Sequence, residues 1–384
     1  MRTSCPYCKS QNIKKLNTIR ELIVVSPLEA DNPYNGANVT VDSAICLDCH
    51  IGFNQNDVPQ DLIDYACKTG FLGAYAGIGV NHYTKIATYI EKYLKHDDVI
   101  VEIGSRSGNL LKLLESKGYT NLTGYDPGAE FQSNENIKAC KDFYTTDIKF
   151  NPKVDGFILQ SSVDIFTDLN AILENLKENL KDGGHIIFEV PSSKIALATQ
   201  NYRIPLSAFD ILAHDHGFNM IEGYEAQDNS DFNRAVFVKR AEGESYKPYF
   251  TKELALEDLL RTIEGLNHHP IKDSDQKRLK DYILEHKDDE IVLWGTGSTT
   301  FRMLSLIDDD ILKTIKFYVV DGHEDRKGKF YVSPCKTKFM VNSVKTLENK
   351  EIKALMICSS HEFTQEILNR INELNCKVDD LFYI

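Results

Sequence analysis

One stretch, VIVEIGSRSGNLLKLLESKGYTNLTGYDP at positions 99–127, constrains the fold more than any other part of the chain. An apolar strand ends in a glycine-bearing turn, a helical repeat of leucines follows, and a second strand ends in Asp126. Gly104 and Gly108 carry no side chain that would keep a ligand from the backbone N–H groups and the helix N-terminus. The stretch therefore predicts the first β–α–β unit of a parallel sheet, with a nucleotide-like ligand at its turn.

The acidic residues of this stretch indicate what the ligand is. Glu102 ends the first strand, and Asp126 ends the next one at the distance where an acid accepts hydrogen bonds from ribose hydroxyls. The turn from Gly104 and Ser105 to Gly108 lacks the compact GxGxxG spacing of dinucleotide binders, which favours S-adenosylmethionine over NAD. Asp147, after the next strand region, is either an adenine contact or a solvated loop residue.

Four cysteines form two CxxC pairs near the N-terminus. CPYC and CLDC are separated by residues 9–45, a turn-rich segment with little core of its own. Four thiolates suit tetrahedral Zn²⁺ and leave no open position for catalysis, so we predict a structural zinc site rather than two redox motifs. His50 is a spare ligand beside a complete set, which is Cys5, Cys8, Cys46 and Cys49.

The remaining pattern predicts an α/β protein of three parts. Residues 1–65 form the zinc-binding module, residues 66–240 alternate strands and helices as a Rossmann-like domain, and residues 241–384 begin with a polar linker, AEGESYKPYF. Two helical stretches and the strands IVLWG, FYVVD and ALMIC then predict a second Rossmann-like α/β domain.

Charge and hydropathy exclude some classes of partner. The formal net charge is −13, which argues against nucleic acid because such binding needs clustered Lys and Arg. No stretch reaches the length of a membrane span, and the N-terminus lacks a signal-peptide core. Five cysteines are scattered rather than paired, so we expect a cytoplasmic protein in a reducing compartment.

With these motifs the chain resembles the zinc-containing, S-adenosylmethionine-dependent sugar C-methyltransferases, which act on nucleotide-linked deoxysugars. The resemblance covers nearly the whole chain: paired CxxC knuckles, a Tyr-rich bridge, the EIGS…G turn, the Asp126-Pro127 pair and a C-terminal Rossmann-like domain. It implies a central class I S-adenosylmethionine methyltransferase domain, a small-molecule acceptor, and a C-terminal domain that binds this substrate. The family usually shows EIGSNDG, where this chain has EIGSRSG.

The C-terminal stretch LWGTGSTT resembles the family's GYGA-type turn, which helps to shape the substrate cleft. Gly295 and Gly297 alone would suggest a second nucleotide site. Because the family uses this turn to shape the substrate cleft, we infer no second cofactor from it. Packing of the turn and contact with a ligand both stay open as its role.

The catalytic base is where resemblance and spacing disagree. The family carries a His-Glu-His motif some distance after an E-x-P strand end, and here EVP at 189–191 is followed by AHDH with His214 and His216. Gly217 and the final strands follow these histidines at once. A capping Ser207 and a C′ glycine predict instead that both histidines end a helix.

On that interpretation the family's histidines correspond to the stretch QNYRIPLS, and Tyr202 or Arg203 faces the methyl donor. A tyrosine acts as a base only if its pKa, near 10 unperturbed, is lowered. His216 remains the alternative base.

The bridge GAYAGIGVNHYTK supplies the other catalytic candidates. The family uses polar aromatic residues of this bridge to line the active site, which implies roles for Tyr75, His82 and Tyr83. Burial, or capping of a helix by His82, is the alternative. Besides sugar methylation, two functions stay open: an N- or O-methyltransferase with another acceptor, and a non-catalytic scaffold that binds S-adenosylmethionine.

Overall fold

The computed structural model describes residues 1–69, 80–193, 198–225, 232–268, 271–359 and 361–384. Three main sheets organise this part of the chain, and a short β-ribbon accompanies the third. No helix in these ranges is both long and apolar enough to span a bilayer.

The N-terminal module is a small antiparallel sheet followed by one helix. Its strands and helix are β1 (Ile13–Leu22), β2 (Asn38–Cys46), β3 (Gly52–Asn54) and α1 (Gln60–Thr69). Ala66 of α1 packs with Ile19 and Val41 of the sheet. A fourth strand, β9 (Tyr202–Arg203), comes from much later in the chain and pairs with β3. The sheet is therefore completed by the central domain.

The central domain is a seven-stranded sheet with helices on both faces. Its further elements are α2 (Val80–Ile90), β4 (Val99–Ile103), α3 (Asn109–Ser116), β5 (Asn121–Tyr125), β6 (Ile137–Cys140), β7 (Val154–Gln160), α4 (Leu169–Asn179), β8 (Leu180–Pro191), α5 (Leu206–Asp215), β10 (Phe218–Glu225) and β11 (Phe232–Lys239). Residues of α2 and α3 pack on one face. Residues of α4, α5 and the cysteine knuckles pack on the other.

The strand order is β10-β11-β8-β7-β4-β5-β6, and β11 alone runs antiparallel to its neighbours. The order reverses between β4 and β7, since the chain leaves β4 toward β5 and returns to β7 on the other side. Ligands of open α/β sheets bind at the carboxyl ends of the strands at such a point.

The C-terminal region holds a five-stranded parallel sheet in the order β16-β13-β12-β17-β18. Its elements are α6 (Lys252–Asn267), α7 (Asp273–Glu285), β12 (Glu290–Trp294), α8 (Ser298–Leu304), α9 (Asp309–Leu312), β13 (Lys316–Asp321), β14 (Phe330–Val332), β15 (Lys338–Met340), β16 (Asn342–Ser343), β17 (Glu351–Ile357), α10 (His361–Glu373) and β18 (Lys377–Phe382).

The C-terminal region is held to the N-terminal module. The buried Glu21 of β1 forms an ion pair with Arg302 of α8 at 2.5 Å, and Leu28 bridges Phe330 of β14.

Candidate functional site

The turn between β4 and α3 lies at the reversal point of the central sheet. Gly104 has a φ of 91° and Gly108 a φ of 67°, a region that side chains rarely adopt. A Cβ at Gly108 would lie 2.7 Å from the Phe131 ring, so the helix start needs glycine for space as well. The hydroxyl of Ser162, just after β7, donates to the carbonyl of Ile103 at 2.6 Å and ties the two strand ends together.

Glu102 provides the strongest chemical signal of this site. Its side chain is 2% exposed, and its Oε2 has no hydrogen-bond partner among the described residues. Burial, with a further contribution from the Asp126 carboxylate, raises the pKa of Glu102 to about 8. An unpartnered buried carboxyl group costs free energy unless a ligand completes it. The residue therefore fits a cationic group bound beside the turn.

Asp126 lies at the carboxyl end of β5, next to Glu102. Its Oδ1 accepts from the Gly128 N–H at 2.7 Å and its Oδ2 from the Arg106 N–H at 3.1 Å. Burial raises its pKa in spite of these two hydrogen bonds. A carboxylate has about four acceptor positions, so the Asp126 carboxylate can still accept hydrogen bonds from ribose hydroxyls.

Other predicted cofactor contacts have mixed surroundings. The Ser105 hydroxyl is buried without a partner in the described part of the chain, and Pro127 is half-buried beside Asp126. Asp147 lies exposed in a turn well after β6. Asp142 and Phe143 lie two and three residues after the end of β6, closer to that strand end than Asp147.

A row of polar side chains extends from the turn across three strands. Gln160, Glu189 and Arg234 are register partners on β7, β8 and β11. Gln160 donates to Glu189 at 3.1 Å, and Arg234 forms a buried ion pair with Glu189. Arg234 also donates through Nη1 to the Tyr224 hydroxyl at 2.8 Å. Its Nη2 is buried without a partner among the described residues.

The same face of the sheet meets the first turn of α2. The pKa of Tyr83 is raised by burial and by the Glu102 and Glu189 carboxyl groups. The phenol also interacts with the side chains of Asn109 and Ser107 at the start of α3. Tyr83 thus joins the cofactor turn to the polar row, a link that only the folded register reveals.

The predicted catalytic residues lie in three places. Tyr75 lies outside the described residues. His82 is in the first turn of α2, but its side chain is outside the described part. Tyr202 is buried in the core, donates to the Thr167 carbonyl at 2.9 Å, and has a pKa raised by burial. A base needs a lowered pKa and a free oxygen, so neither the raised pKa of Tyr202 nor its hydrogen bond to Thr167 favours its predicted role as base.

His216 follows α5 and precedes β10, so it lies at the amino ends of the parallel strands. Eight residues of β10, at about 3.3 Å each, separate that edge from the cofactor edge by more than roughly 20 Å. Its ring lies 2.7 Å from Glu174 Oε1 and 3.3 Å from the Tyr7 hydroxyl. Tyr7 belongs to the first cysteine knuckle, and this histidine therefore joins that knuckle to α4.

The four paired cysteines converge on one point. All four Sγ atoms lie within 4.8 Å of one another, and two pairs are 3.5 and 3.6 Å apart. Tetrahedral Zn²⁺ with Zn–S distances of about 2.3 Å requires sulfur separations of about 3.8 Å, so the cluster could hold zinc. Lys9 and His50, which follow the two knuckles, both have φ near 60°. His50 contacts Ser207 at 2.9 Å and is not part of the cluster.

The glycine turn of the C-terminal sheet has different surroundings. Asp321, at the end of β13, accepts from the Thr296 hydroxyl at 2.6 Å and pairs with Arg326 at 3.0 Å. Residues 22–27 of the N-terminal module cover Thr296 and leave a cavity of about 10 Å³, at most the volume of one water. This arrangement suits packing of the turn.

The central region of the chain matches a known family model. Residues 81–222 match the family model described as a methyltransferase domain. No curated protein matches the chain.

Among solved structures, the chain is similar to three proteins that span about half of it. The 1,6-didemethyltoxoflavin-N1-methyltransferase of Burkholderia thailandensis is 11% identical, with 51% of this chain and 98% of that chain covered and a TM-score of 0.40. The magnesium protoporphyrin IX methyltransferase of Synechocystis is 12% identical, with 47% of this chain and 99% of that chain covered and a TM-score of 0.38. In a Haloferax volcanii complex of the Trm112 activator and a methyltransferase, the matching chain is 15% identical, with 47% of this chain and 98% of that chain covered and a TM-score of 0.39.

Proposed function

We propose that this chain, whose residues 81–222 match a methyltransferase domain, takes a methyl group from S-adenosylmethionine and transfers it to a nucleotide-activated sugar or a related glycan precursor. The observation that carries the cofactor assignment is the buried Oε2 of Glu102 beside the glycine turn, which finds no partner in the part of the chain that the structure describes. The acceptor assignment is supported by the sequence resemblance and by the polar row beyond the turn. A cytoplasmic location and the absence of nucleic-acid and membrane partners belong to the same proposal.

Three groups would hold the cofactor. Glu102 would receive its ammonium group, Asp126 its ribose hydroxyls, and the backbone at Gly104 would lie against it without a side chain between. When bound, the cofactor supplies an electrophilic methyl group on a sulfonium. The residues of the chain then have to orient the acceptor, exclude water and, where the acceptor demands it, remove a proton.

The polar row is suited to bind an acceptor rich in oxygen atoms. Arg234 is fixed by Glu189 and Tyr224, so its Nη2 offers a donor that is already oriented. A hydroxyl or carbonyl oxygen of the acceptor would satisfy that donor and remove the cost of leaving it buried and unpaired. Tyr83 lies between this donor and the cofactor turn and would face the reacting atom.

The base remains a proposal with four candidates: Tyr75, His82, Tyr202 and His216. His82 gains support from its neighbour Tyr83, whose phenol lies near the carboxyl groups of both Glu102 and Glu189. Tyr75 lies outside the described residues. His216 lies at the other edge of the sheet and Tyr202 is engaged with a backbone carbonyl.

We assign the cysteine cluster to one structural Zn²⁺. It would stabilise a module whose own core is small, because binding to preformed thiolates favours the folded state. The tight contact of the Tyr7 knuckle with α4 and α5 would then depend on the metal.

The test is methyl transfer from labelled S-adenosylmethionine to a panel of acceptors. Nucleotide-diphosphate sugars, the same sugars without the nucleotide, and simple amines and phenols are compared, with Asp126→Ala as the matched control. Incorporation into nucleotide sugars alone supports the proposal. Incorporation only into amines or phenols replaces the sugar with another acceptor, and S-adenosylhomocysteine binding without any transfer would indicate a scaffold.

A further inference from the structure

Arg106, in the middle of the cofactor turn, extends its side chain away from the turn and onto the N-terminal module. Its Nη1 lies 3.1 Å from the Lys68 carbonyl and 3.5 Å from the Cys67 carbonyl, both in the last turn of α1. Its Nη2 pairs with Glu130 at 2.6 Å. The carbonyl groups of a helix end carry partial negative charge and lack partners in the helix, so a guanidinium is well suited to them.

The backbone of the same residue holds the ribose acid. The Arg106 N–H donates to Asp126 Oδ2 at 3.1 Å, and the Arg106 carbonyl accepts from the Glu130 N–H at 3.0 Å. One residue therefore contacts both the carboxylate that would bind the cofactor and the helix that belongs to the cysteine module.

Gly128 gives an independent sign that this contact is built into the fold. A Cβ on Gly128 would lie 1.7 Å from Arg106 Nη1 and 2.5 Å from the Lys68 carbonyl. The end of α1 and the guanidinium thus cross directly over the loop that follows Asp126, at a distance only glycine allows.

α1 is in turn fixed to the loop between β1 and β2 of the N-terminal module. Its Tyr65 stacks on Tyr34 with ring centroids 4.1 Å apart, and Asn32 donates to the Tyr65 hydroxyl at 3.1 Å. A displacement of the module would therefore be passed to α1, to Arg106 and to the turn.

We propose that Arg106 is a positioning residue that couples the N-terminal module to cofactor binding, so that occupancy of the turn and the order of α1 depend on each other. This inference rests on the proposed placement of the cofactor at the β4–α3 turn. The coupling is reciprocal by linkage: what stabilises α1 against the turn strengthens cofactor binding, and bound cofactor stabilises α1.

The test uses three variants of the full chain. Arg106→Asn removes the guanidinium while tolerating the positive φ of 31° at this position. Arg106→Lys keeps a charge that reaches one carbonyl. Glu130→Gln removes the ion pair but leaves both contacts to α1. Each is titrated with S-adenosylhomocysteine by calorimetry, and hydrogen exchange of the peptide over residues 60–69 is followed with and without this ligand.

In the wild-type chain S-adenosylhomocysteine should slow exchange across α1. Arg106→Asn should bind roughly three- to tenfold more weakly, as expected for a partly exposed charged hydrogen bond, and should lose the added protection of α1. Arg106→Lys should recover part of both, and Glu130→Gln should keep the protection. A purely structural role would lower the melting temperature without removing the ligand-dependent protection.

Equal affinity and equal ligand-dependent protection in Arg106→Asn would overturn this inference alone. Failure of the wild-type chain to bind S-adenosylhomocysteine would overturn the proposed function and this coupling with it. Gly128→Ala provides a second route if Arg106→Asn folds poorly, because its methyl group would overlap both Arg106 Nη1 and the Lys68 carbonyl. It should weaken S-adenosylhomocysteine binding and remove the added protection of α1, and unchanged affinity and protection would overturn the coupling.

Discussion

Replacing Glu102 by Gln should raise the stability of the free protein and lower its affinity for S-adenosylhomocysteine. The pKa of this carboxyl group is raised from 4.5 to about 8 by burial and by Asp126. Because the folded-state pKa lies above the unfolded one, the unfolded state loses its proton first. Stability therefore falls as pH rises from about 4.5 to about 8 and is lowered by a constant amount above that.

The size of the effect follows from this difference in pKa. At about 1.4 kcal/mol per pH unit, the penalty is about 3 kcal/mol at pH 7 and about 5 kcal/mol above pH 8. Glutamine keeps the shape and does not titrate. The stability gained by Glu102→Gln should thus be small at pH 5 and grow to several kcal/mol at pH 8.5.

Binding should change in the opposite direction. A cationic ammonium group favours ionised Glu102, so S-adenosylhomocysteine binding should release a proton near pH 7, and wild-type affinity should rise with pH toward about 8. Glu102→Gln should bind more weakly and lose this pH dependence.

The assay is a thermal unfolding scan and a calorimetric titration of both chains at pH 5, 7 and 8.5. Glu135→Gln, an exposed position in the same domain, is the matched control and should show neither effect. A Glu102→Gln chain whose stability keeps the wild-type pH slope, or whose ligand affinity is unchanged, would refute the assignment of Glu102 as an uncompensated acid of the cofactor site.

Three further outcomes test the remaining assignments. The purified chain should contain about one zinc, and Cys46→Ser should destabilise residues 1–69, as limited proteolysis would report; a metal-free, fully folded chain would contradict the site. Asp126→Ala should weaken S-adenosylhomocysteine binding severalfold in calorimetry while NAD binds to neither chain, and unchanged affinity would mean that the ribose lies elsewhere. His216→Gln should leave turnover within a few-fold of wild type and lower the melting temperature. At least one of His82→Gln, Tyr202→Phe and Tyr75→Phe should instead lose about 10²- to 10⁴-fold in kcat with S-adenosylhomocysteine affinity intact. Loss of turnover in His216→Gln alone would make His216 the base.

Local sequence patterns were sufficient to predict much of the central domain. The strand, the glycine turn and the helix of 99–116 could be predicted because the apolar periodicity and the glycines act within a few residues. α3, which begins at Asn109 after its N-cap Gly108, and β5, which ends at Tyr125, agree with this. Ile86, Ile90 and Leu94 repeat at helical spacing, but α2 ends at Ile90, and Leu94 follows a turn and packs against Gly156.

Long-range pairing is what the sequence could not supply. Residues 9–45 were expected to form the loop between the two CxxC pairs. They instead contain β1 and nearly all of β2, whose antiparallel register depends on contacts between distant residues. The pairing of Glu189 with Arg234 likewise depends on the register of two strands 45 residues apart. The contact of Tyr7 with His216 spans 209 residues, and no local pattern announces it.

The pairing of β3 with β9 also sets the order of events during synthesis. β3 pairs with β2 on one side, where Phe53 lies opposite Ala44, but on its other side Phe53 finds a strand partner only at Tyr202. The fourth strand therefore cannot join the N-terminal sheet until about 150 more residues have left the ribosome, roughly 7 to 30 s at usual rates of translation. During that interval the open edge of β3 is a site for pairing with other chains. Early binding of zinc by the cysteine knuckles would order the N-terminal sheet before its last strand is made. Zinc starvation during synthesis should therefore lower the soluble yield of this protein, whereas removing zinc from molecules that have already folded should aggregate few of them.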